Sequence, residues 1–414
     1  MKNLIIIFGI FPLIIGCQNP IEPTKPEDKI LEVIWKKPVS DSSRSLLNNG
    51  LFGYKDLIYV TGQNDIVKSE FSFTALNKFT GNKELKWIHP TKWQRGADKY
   101  DVKNNIAVFS TAWGIYCMDL DKHEIRWEID LLKDPLEYCQ EHVHIDGDYV
   151  YMPIYFGQFS YPDSAILTRV HIPTGKRESV YNFRPFIKDK KWHPFLAKPA
   201  FWLDPATGDS LCMIVVNYFA DNAGPDKSPT DFVCFNMRTK EIHWQQTAFT
   251  PTGTQLRGYP MIYKDNVLVM GDWSMYSYHI PTGKLNYRTE ISPLKPFPAF
   301  DDTQSLLIDD KVFVNAVARD VLCLDAEDGH IIWHNNDASS TASENMLYYK
   351  DMLITASWGR GAILVMDGNT GKILHMEKAG NDNSFSNDVW YDKASDMFFA
   401  NSYTHVIAFK LKRP

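Results

Sequence analysis

A three-stranded unit recurs along this chain, and it is too small to bury its own apolar face. Its clearest copy runs from Tyr263 to Ile291. It holds a polar turn at Lys264–Asn266, an apolar run Val267–Met270, a tip at Gly271–Ser274 and an alternating strand Met275–His279. The turn Pro281-Thr282-Gly283-Lys284 and a closing strand Leu285–Glu290 complete it. Alternation at period two, with Gly, Asn and Asp at the joints, is the pattern of a β-meander. One meander cannot make a core, so copies have to stack on one another.

The copies are legible. The turn and closing strand return as Thr80-Gly81 with Trp87, Asp121-Lys122 with Trp127, and Thr174-Gly175-Lys176. They return again as Thr239-Lys240 with Trp244, Asp328-Gly329 with Trp333, and Thr370-Gly371-Lys372. The preceding strand recurs at Ile115–Leu120, Phe232–Met237, Val321–Ala326 and Ile363–Gly368. Spacing of roughly 35–50 residues is that of propeller blades, and no helical period runs through these segments. The fold class is therefore an all-β propeller of about eight four-stranded blades. A seven-bladed ring with one degenerate copy is the alternative. The last copy, Val389–Leu411, ends without a Trp-bearing strand, and such a strand stands alone at Leu31–Lys37. The simplest reading puts Trp35 on the outermost strand of the last blade, closing the ring and covering its edge.

Three regions follow: a signal peptide over residues 1–16, a tether over 17–29 and one propeller domain over 30–414. Lys2 precedes an apolar run, Leu4–Ile15, that is short for a spanning helix and ends in Gly16-Cys17. Ile14-Ile15-Gly16-Cys17 resembles a bacterial lipobox, which makes Cys17 the expected site of lipidation. The alternative is an ordinary cleaved signal peptide. Gln18–Asp28 is Pro-rich and polar, a spacer rather than a folded element. The expected location is thus the bacterial cell envelope, with the membrane engaged through the anchor alone.

Net charge is −6 with both signs interspersed, which gives no reason to expect a nucleic-acid partner. Cys117, Cys234 and Cys323 hold equivalent third-strand positions in alternate blades, Cys212 and Cys234 are not obviously in register for a disulfide, and Cys139 has no evident mate. A disulfide framework is not expected.

Tips and inter-blade links share one face of a propeller, and there the repeat departs from a bland one. The tips carry Trp113, Tyr155, Phe156, Tyr218, Phe219, Trp273, Trp358 and Tyr403. Such rings either stack on sugars, side chains or a planar ligand, or simply pack between blades. Polar candidates fall on the links: Glu141, His142, His144, His193, Lys198, Arg257, Glu344, Asn345, Asn387 and Asp388, with Arg319 and Arg360 beside the aromatics. His142 and His144 alternate on one strand and point to one side, as metal ligands sometimes do. No third ligand is identifiable, so hydrogen bonding to neighbouring blades is favoured and no metal site is assigned. Longer tips at Gln63–Glu70, Gly157–Ser164 and Ala220–Thr230 suit a binding surface.

With Asp367-Gly-Asn-Thr-Gly-Lys372 and His279-Ile-Pro-Thr-Gly-Lys284 in view, the chain resembles the PQQ-like (quinoprotein alcohol dehydrogenase-like) propeller superfamily over Leu31–Leu411. In its quinone-dependent enzymes the resemblance implies adjacent cysteines, a calcium set and a catalytic Asp. This sequence has no Cys-Cys pair and no residues matching the calcium set, so no cofactor is expected. A lipid anchor with about eight blades is similar to scaffolds of the BamB type, in the outer-membrane β-barrel assembly machinery, which implies an outer-membrane protein as a further partner. Two functions stand. One is a non-catalytic module holding a glycan or protein segment on Trp113, Trp273, Trp358, Tyr403, Arg257 and Arg360. The other is a polysaccharide lyase, with His142 or His144 as base and Arg257 neutralising a uronate. The first is preferred because no catalytic constellation is legible.

Overall fold

The computed structural model describes residues 30–39, 46–65, 70–90, 99–131, 137–139, 143–158, 161–183, 192–220, 229–250, 259–271, 274–291, 304–316, 320–338, 346–357, 361–378, 385, 389–402 and 404–412. They form eight antiparallel sheets whose strands pair in chain order, so each sheet is one blade. Blades 1 to 7 span 46–90, 99–130, 137–183, 192–246, 261–290, 304–335 and 346–378. Blade 8 joins Trp390–Asp392, Met397–Asn401 and His405–Leu411 to Leu31–Pro38 as its outermost strand. The eight-bladed reading and the closure by an N-terminal strand both hold. Among the described residues no helix is long and apolar enough to cross a membrane.

Burial follows from the repeat. The two middle strands of a blade are buried on both faces, as Ile106–Thr111 and Gly114–Asp119 are in blade 2. The outer strand Glu124–Asp130 alternates between exposed and half-buried. Eight apolar clusters result, one at each seam between neighbouring blades. First strands of neighbouring blades meet on the inner side of the ring at several seams, as Leu46–Tyr54 does with Trp390–Asp392 and with Lys99–Lys103, and Gln304–Ile308 with Met346–Tyr349.

The Thr-Gly turn and the tryptophan are two halves of one contact between blades. Trp35, Trp127, Trp244 and Trp333 each donate the indole N–H to a carbonyl at the next blade's outer turn. The acceptors are Lys78, Ile172, Ile280 and Gly368, at 2.9, 2.7, 2.6 and 3.0 Å. The rings lie over the turn glycines. At Gly283 and Gly371, where φ is +67° and +71°, a Cβ would come within 2.6 Å of Trp244 and 2.4 Å of Trp333. A side chain there meets both the left-handed backbone and the ring, which is why glycine recurs.

The cysteines fit the same geometry. Cys117, Cys234 and Cys323 pair in register with Trp127, Trp244 and Trp333. Cys212 lies opposite Phe235 while Cys234 lies opposite Met213, so the two face different seams and cannot bridge. Burial pushes the Cys117 and Cys323 thiols up to about 12, leaving them protonated and inert at neutral pH.

The inner and outer turns of each blade share one face, as the Leu120 N–H to Asn105 carbonyl bond of 2.8 Å shows. The tips and inter-blade links lie on the other. Two blades break the pattern. The innermost strand of blade 3 is split into Glu137–Tyr138 and His144–Asp146, and that of blade 4 into Trp192–Leu196 and Ala200–Leu203. The strands paired to them, Tyr149–Gln158 and Ser210–Ala220, are long, as is Tyr161–His171 beside the first of these.

Candidate functional site

The two split strands sit side by side, and with blade 2 they build an irregular patch of the inner wall. Asp101, on Lys99–Lys103 of blade 2, accepts the Ile145 backbone N–H at 2.7 Å through Oδ2. The same oxygen lies 3.5 Å from Nδ1 of His144. On its other side the His144 ring stacks on Phe201 of blade 4, with centroids 5.8 Å apart and planes 11° from parallel. Tyr151 of blade 3 tilts against Phe201 at 4.6 Å. Lys198, between the two half-strands of blade 4, is half-buried and close enough for its charge to act on Asp101.

Burial pushes the Asp101 carboxyl up. The His144 ring, the Ile145 N–H and the Lys198 charge outweigh that and hold it below the ordinary carboxylate range. A folded value depressed in this way stabilises the protein above the unfolded value, about 3.9, and the contribution is lost as pH falls through the folded one. The stability gap between the native protein and Asp101→Asn is therefore expected to close as pH is lowered from about 6 to about 3. Urea unfolding across that range checks this; a gap independent of pH would refute the assignment.

Chemically, the carboxylate stands on the Nδ1 side of the imidazole without a hydrogen bond to it, so what holds the ring is its stacking on Phe201. His144 was a sequence candidate. Asp101 and Phe201 were not, since they reach it from neighbouring blades. A lone Asp between Tyr100 and Val102 on an inner strand was the only local signal.

The other candidates divide. Tyr155 and Tyr218 are not tip residues: they lie on Tyr149–Gln158 and Ser210–Ala220 and are fully buried. The long strands of blades 3 and 4 carry these hairpins further than the repeat suggests. Tyr155 instead holds the neighbouring break, its hydroxyl accepting the Leu196 N–H at 3.2 Å. Phe156 is half-buried on the same strand against the blade 2–3 cluster. Phe219 is also a strand residue by backbone pairing, with His193 opposite. His193 itself is buried. Trp113 does sit at a tip, half-buried, meeting Tyr138 of blade 3 edge-on at 6.1 Å. Packing between blades thus accounts for much of its surface. Cys17, Glu141, His142, Arg257, Trp273, Arg319, Glu344, Asn345, Trp358, Arg360, Asn387, Asp388 and Tyr403 lie outside the described residues.

The family model described as outer membrane protein assembly factor BamB matches residues 305–412. Among solved structures, BamB from Moraxella catarrhalis aligns at a TM-score of 0.58 and 13% identity, over 93% of this chain and 99% of its own. A quinohemoprotein alcohol dehydrogenase from Pseudomonas putida HK5 aligns at 0.63 and 12%, over 93% and 78%. A europium-containing methanol dehydrogenase aligns at 0.62 and 11%, over 92% and 93%. No curated protein sequence matches. The chain has the fold of the PQQ-like β-propellers. A quinone site with adjacent cysteines does not fit the residues present: no two cysteines are neighbours in the sequence, and the described ones are buried, Cys117 and Cys139 at one seam and Cys212, Cys234 and Cys323 at three others.

Proposed function

We propose that this protein is a lipid-anchored, non-catalytic binding and scaffold propeller of the bacterial cell envelope. Cys17 carries the lipid, residues 17–29 form the tether, and the tip face holds a glycan or an extended protein segment. Trp113, Trp273, Trp358, Tyr403, Arg257 and Arg360 are its contacts, with an outer-membrane protein as the natural protein partner. One observation carries this reading. The indole-to-carbonyl lock recurs at four seams around the ring, whereas in one sector the inner strands of blades 3 and 4 break beside long hairpins. A frame with a localised, shaped departure is what a recognition surface needs. The likeness to BamB, a protein named for outer-membrane protein assembly, points the same way.

A second reading, a polysaccharide lyase, has one favouring observation, the Asp101 carboxylate beside His144. A soluble form beginning at Asn19, titrated with envelope polysaccharides, separates the two. Binding predicts a tryptophan fluorescence change without new absorbance from unsaturated product, abolished by Trp273→Ala. Product absorbance that disappears with His144→Ala, or with His142→Ala, would establish the lyase instead.

A further inference from the structure

At the seam of blades 3 and 4 the ring-on-glycine contact is replaced by charge. In the other seven blades the pairing of the two outermost strands slips once, at a short side chain of the third strand. These are Ala75, Cys117, Cys234, Ser277, Cys323, Val365 and Ala408. Each stands opposite a larger residue, in five blades the tryptophan or tyrosine that covers the next blade's turn glycine. In blade 3 the slip comes two residues earlier, between Leu167 and Thr168, and the matching position is Arg169, opposite Glu178. Arg169 shares a side of its strand with Ala165 and Leu167 of the blade 3–4 cluster, so its charge enters that seam.

Blade 4 meets it with a second cation. Gly81, Gly175, Gly283, Gly329 and Gly371, the glycines under the rings, each give their N–H to the carbonyl four residues back. In blade 4 the residue bonded in this way, to Asn236, is Lys240, with φ at +66°. His123 of blade 2 also has a positive φ in an outer turn, and it has a partner, Tyr59, at 3.1 Å. The Lys240 amine makes no hydrogen bond or ion pair among the described residues. A left-handed lysine with nothing to bond is a strained choice where glycine serves elsewhere. Partial burial and the Arg169 charge lower its pKa, so it lies near that guanidinium without a full counter-charge. Arg169 gives Nε and Nη2 to Glu178 Oε2 at 3.1 and 2.9 Å, and Lys176 lies 3.3 Å from Oε1. Three cations share one carboxylate, a local excess of +2 (Arg169, Lys176 and Lys240 against Glu178) in a chain of net charge −6.

We infer that the seam of blades 3 and 4 binds a phosphomonoester, whose oxygens bridge Lys240 and Arg169. Such a group is close to a dianion at neutral pH and cancels the excess, whereas a carboxylate would cancel half of it. Guanidinium and ammonium together are the donors that phosphate takes. The site lies on the turn face, away from the tips, and stands independently of the reading above.

The test is equilibrium dialysis of the full-length protein in detergent against radiolabelled inorganic phosphate, in about 0.15 M sodium chloride. Saturable uptake is expected, weakened at least roughly tenfold in Lys240→Gly, the size of one charge-assisted contact. Glycine suits this backbone, so the variant's unfolding temperature without phosphate is expected not to fall. His123→Gly, at the seam of blades 1 and 2, is expected to leave uptake unchanged. Competition identifies the source. Displacement by detergent micelles carrying phosphatidic acid, and not by those carrying phosphatidylcholine, assigns a lipid headgroup; displacement by glycerol 3-phosphate assigns a soluble ester. Absence of saturable uptake, equal uptake by Lys240→Gly, a lowered unfolding temperature in that variant, loss of uptake in His123→Gly, or displacement by neither phosphomonoester would each overturn the inference.

Discussion

A Trp35→Ala chain is expected to unfold about 3–5 kcal/mol more easily than the native protein, the cost of removing a buried tryptophan from a packed site. Trp35 is 8% exposed and belongs to the cluster joining blade 8 to blade 1. Its ring tilts against Phe399 at 6.0 Å and lies over Gly81, and its N–H reaches the Lys78 carbonyl. The strand bearing it pairs with His405–Leu411 from Leu31 to Pro38, with an irregularity between Val33 and Trp35. The chain runs on from this strand into blade 1, so the ring is shut within blade 8, where the two ends of the fold meet only through the pairing of Leu31–Pro38 with His405–Leu411 and the packing around it. Urea unfolding followed by tryptophan fluorescence and by far-ultraviolet circular dichroism measures the loss. A change below about 1 kcal/mol would mean that the ring does not depend on this strand for closure.

Lys78→Met is expected to cost a similar amount, about 3–5 kcal/mol, by stranding a partly buried carboxylate at the same seam. The Lys78 side chain is 5% exposed. Its ammonium donates to the Lys55 carbonyl at 2.7 Å and lies 3.0 Å from Asp392 Oδ2 and 3.4 Å from Asp56 Oδ1. Asp392 belongs to blade 8, while Lys55 and Asp56 belong to the inner turn of blade 1, so one charge spans the seam. Methionine keeps the stem and removes the charge, leaving Asp392 without its cation. Burial pushes the Asp392 carboxyl up, but Ser395 and Lys78 outweigh it and hold it below the ordinary range. The pair therefore stabilises above the unfolded carboxylate value, about 3.9, and its contribution fades as pH falls through the folded value. The deficit of Lys78→Met is expected to be full at neutral pH and to shrink in acid. A deficit that grew on acidification would contradict this account. Trp35 bonds the Lys78 carbonyl directly, so their combined loss is expected to depart from the sum, which a double-mutant cycle reads directly.

A repeat fold is legible for a local reason. Each blade is specified by alternation within strands and by turn chemistry within about forty residues. Strand class, blade count and the displaced Trp35 strand could thus be read without knowing any contact between blades. The Trp–glycine pairing was half visible: both residues recur in the sequence, but only the ring shows that the tryptophan of one blade lies on the glycine of the next.

The site was hidden for the complementary reason. Asp101, His144 and Phe201 come from three blades, and nothing within forty residues of any one of them names the other two. Tyr155 and Tyr218 read as tip aromatics because the repeat fixed where a tip should fall, whereas the long strands of blades 3 and 4 carry them into the interior. Sequence determined the blade, because its hydrogen bonds close within one stretch of chain. Tertiary structure decided what faces what across the seams, because those contacts join residues the repeat treats as interchangeable.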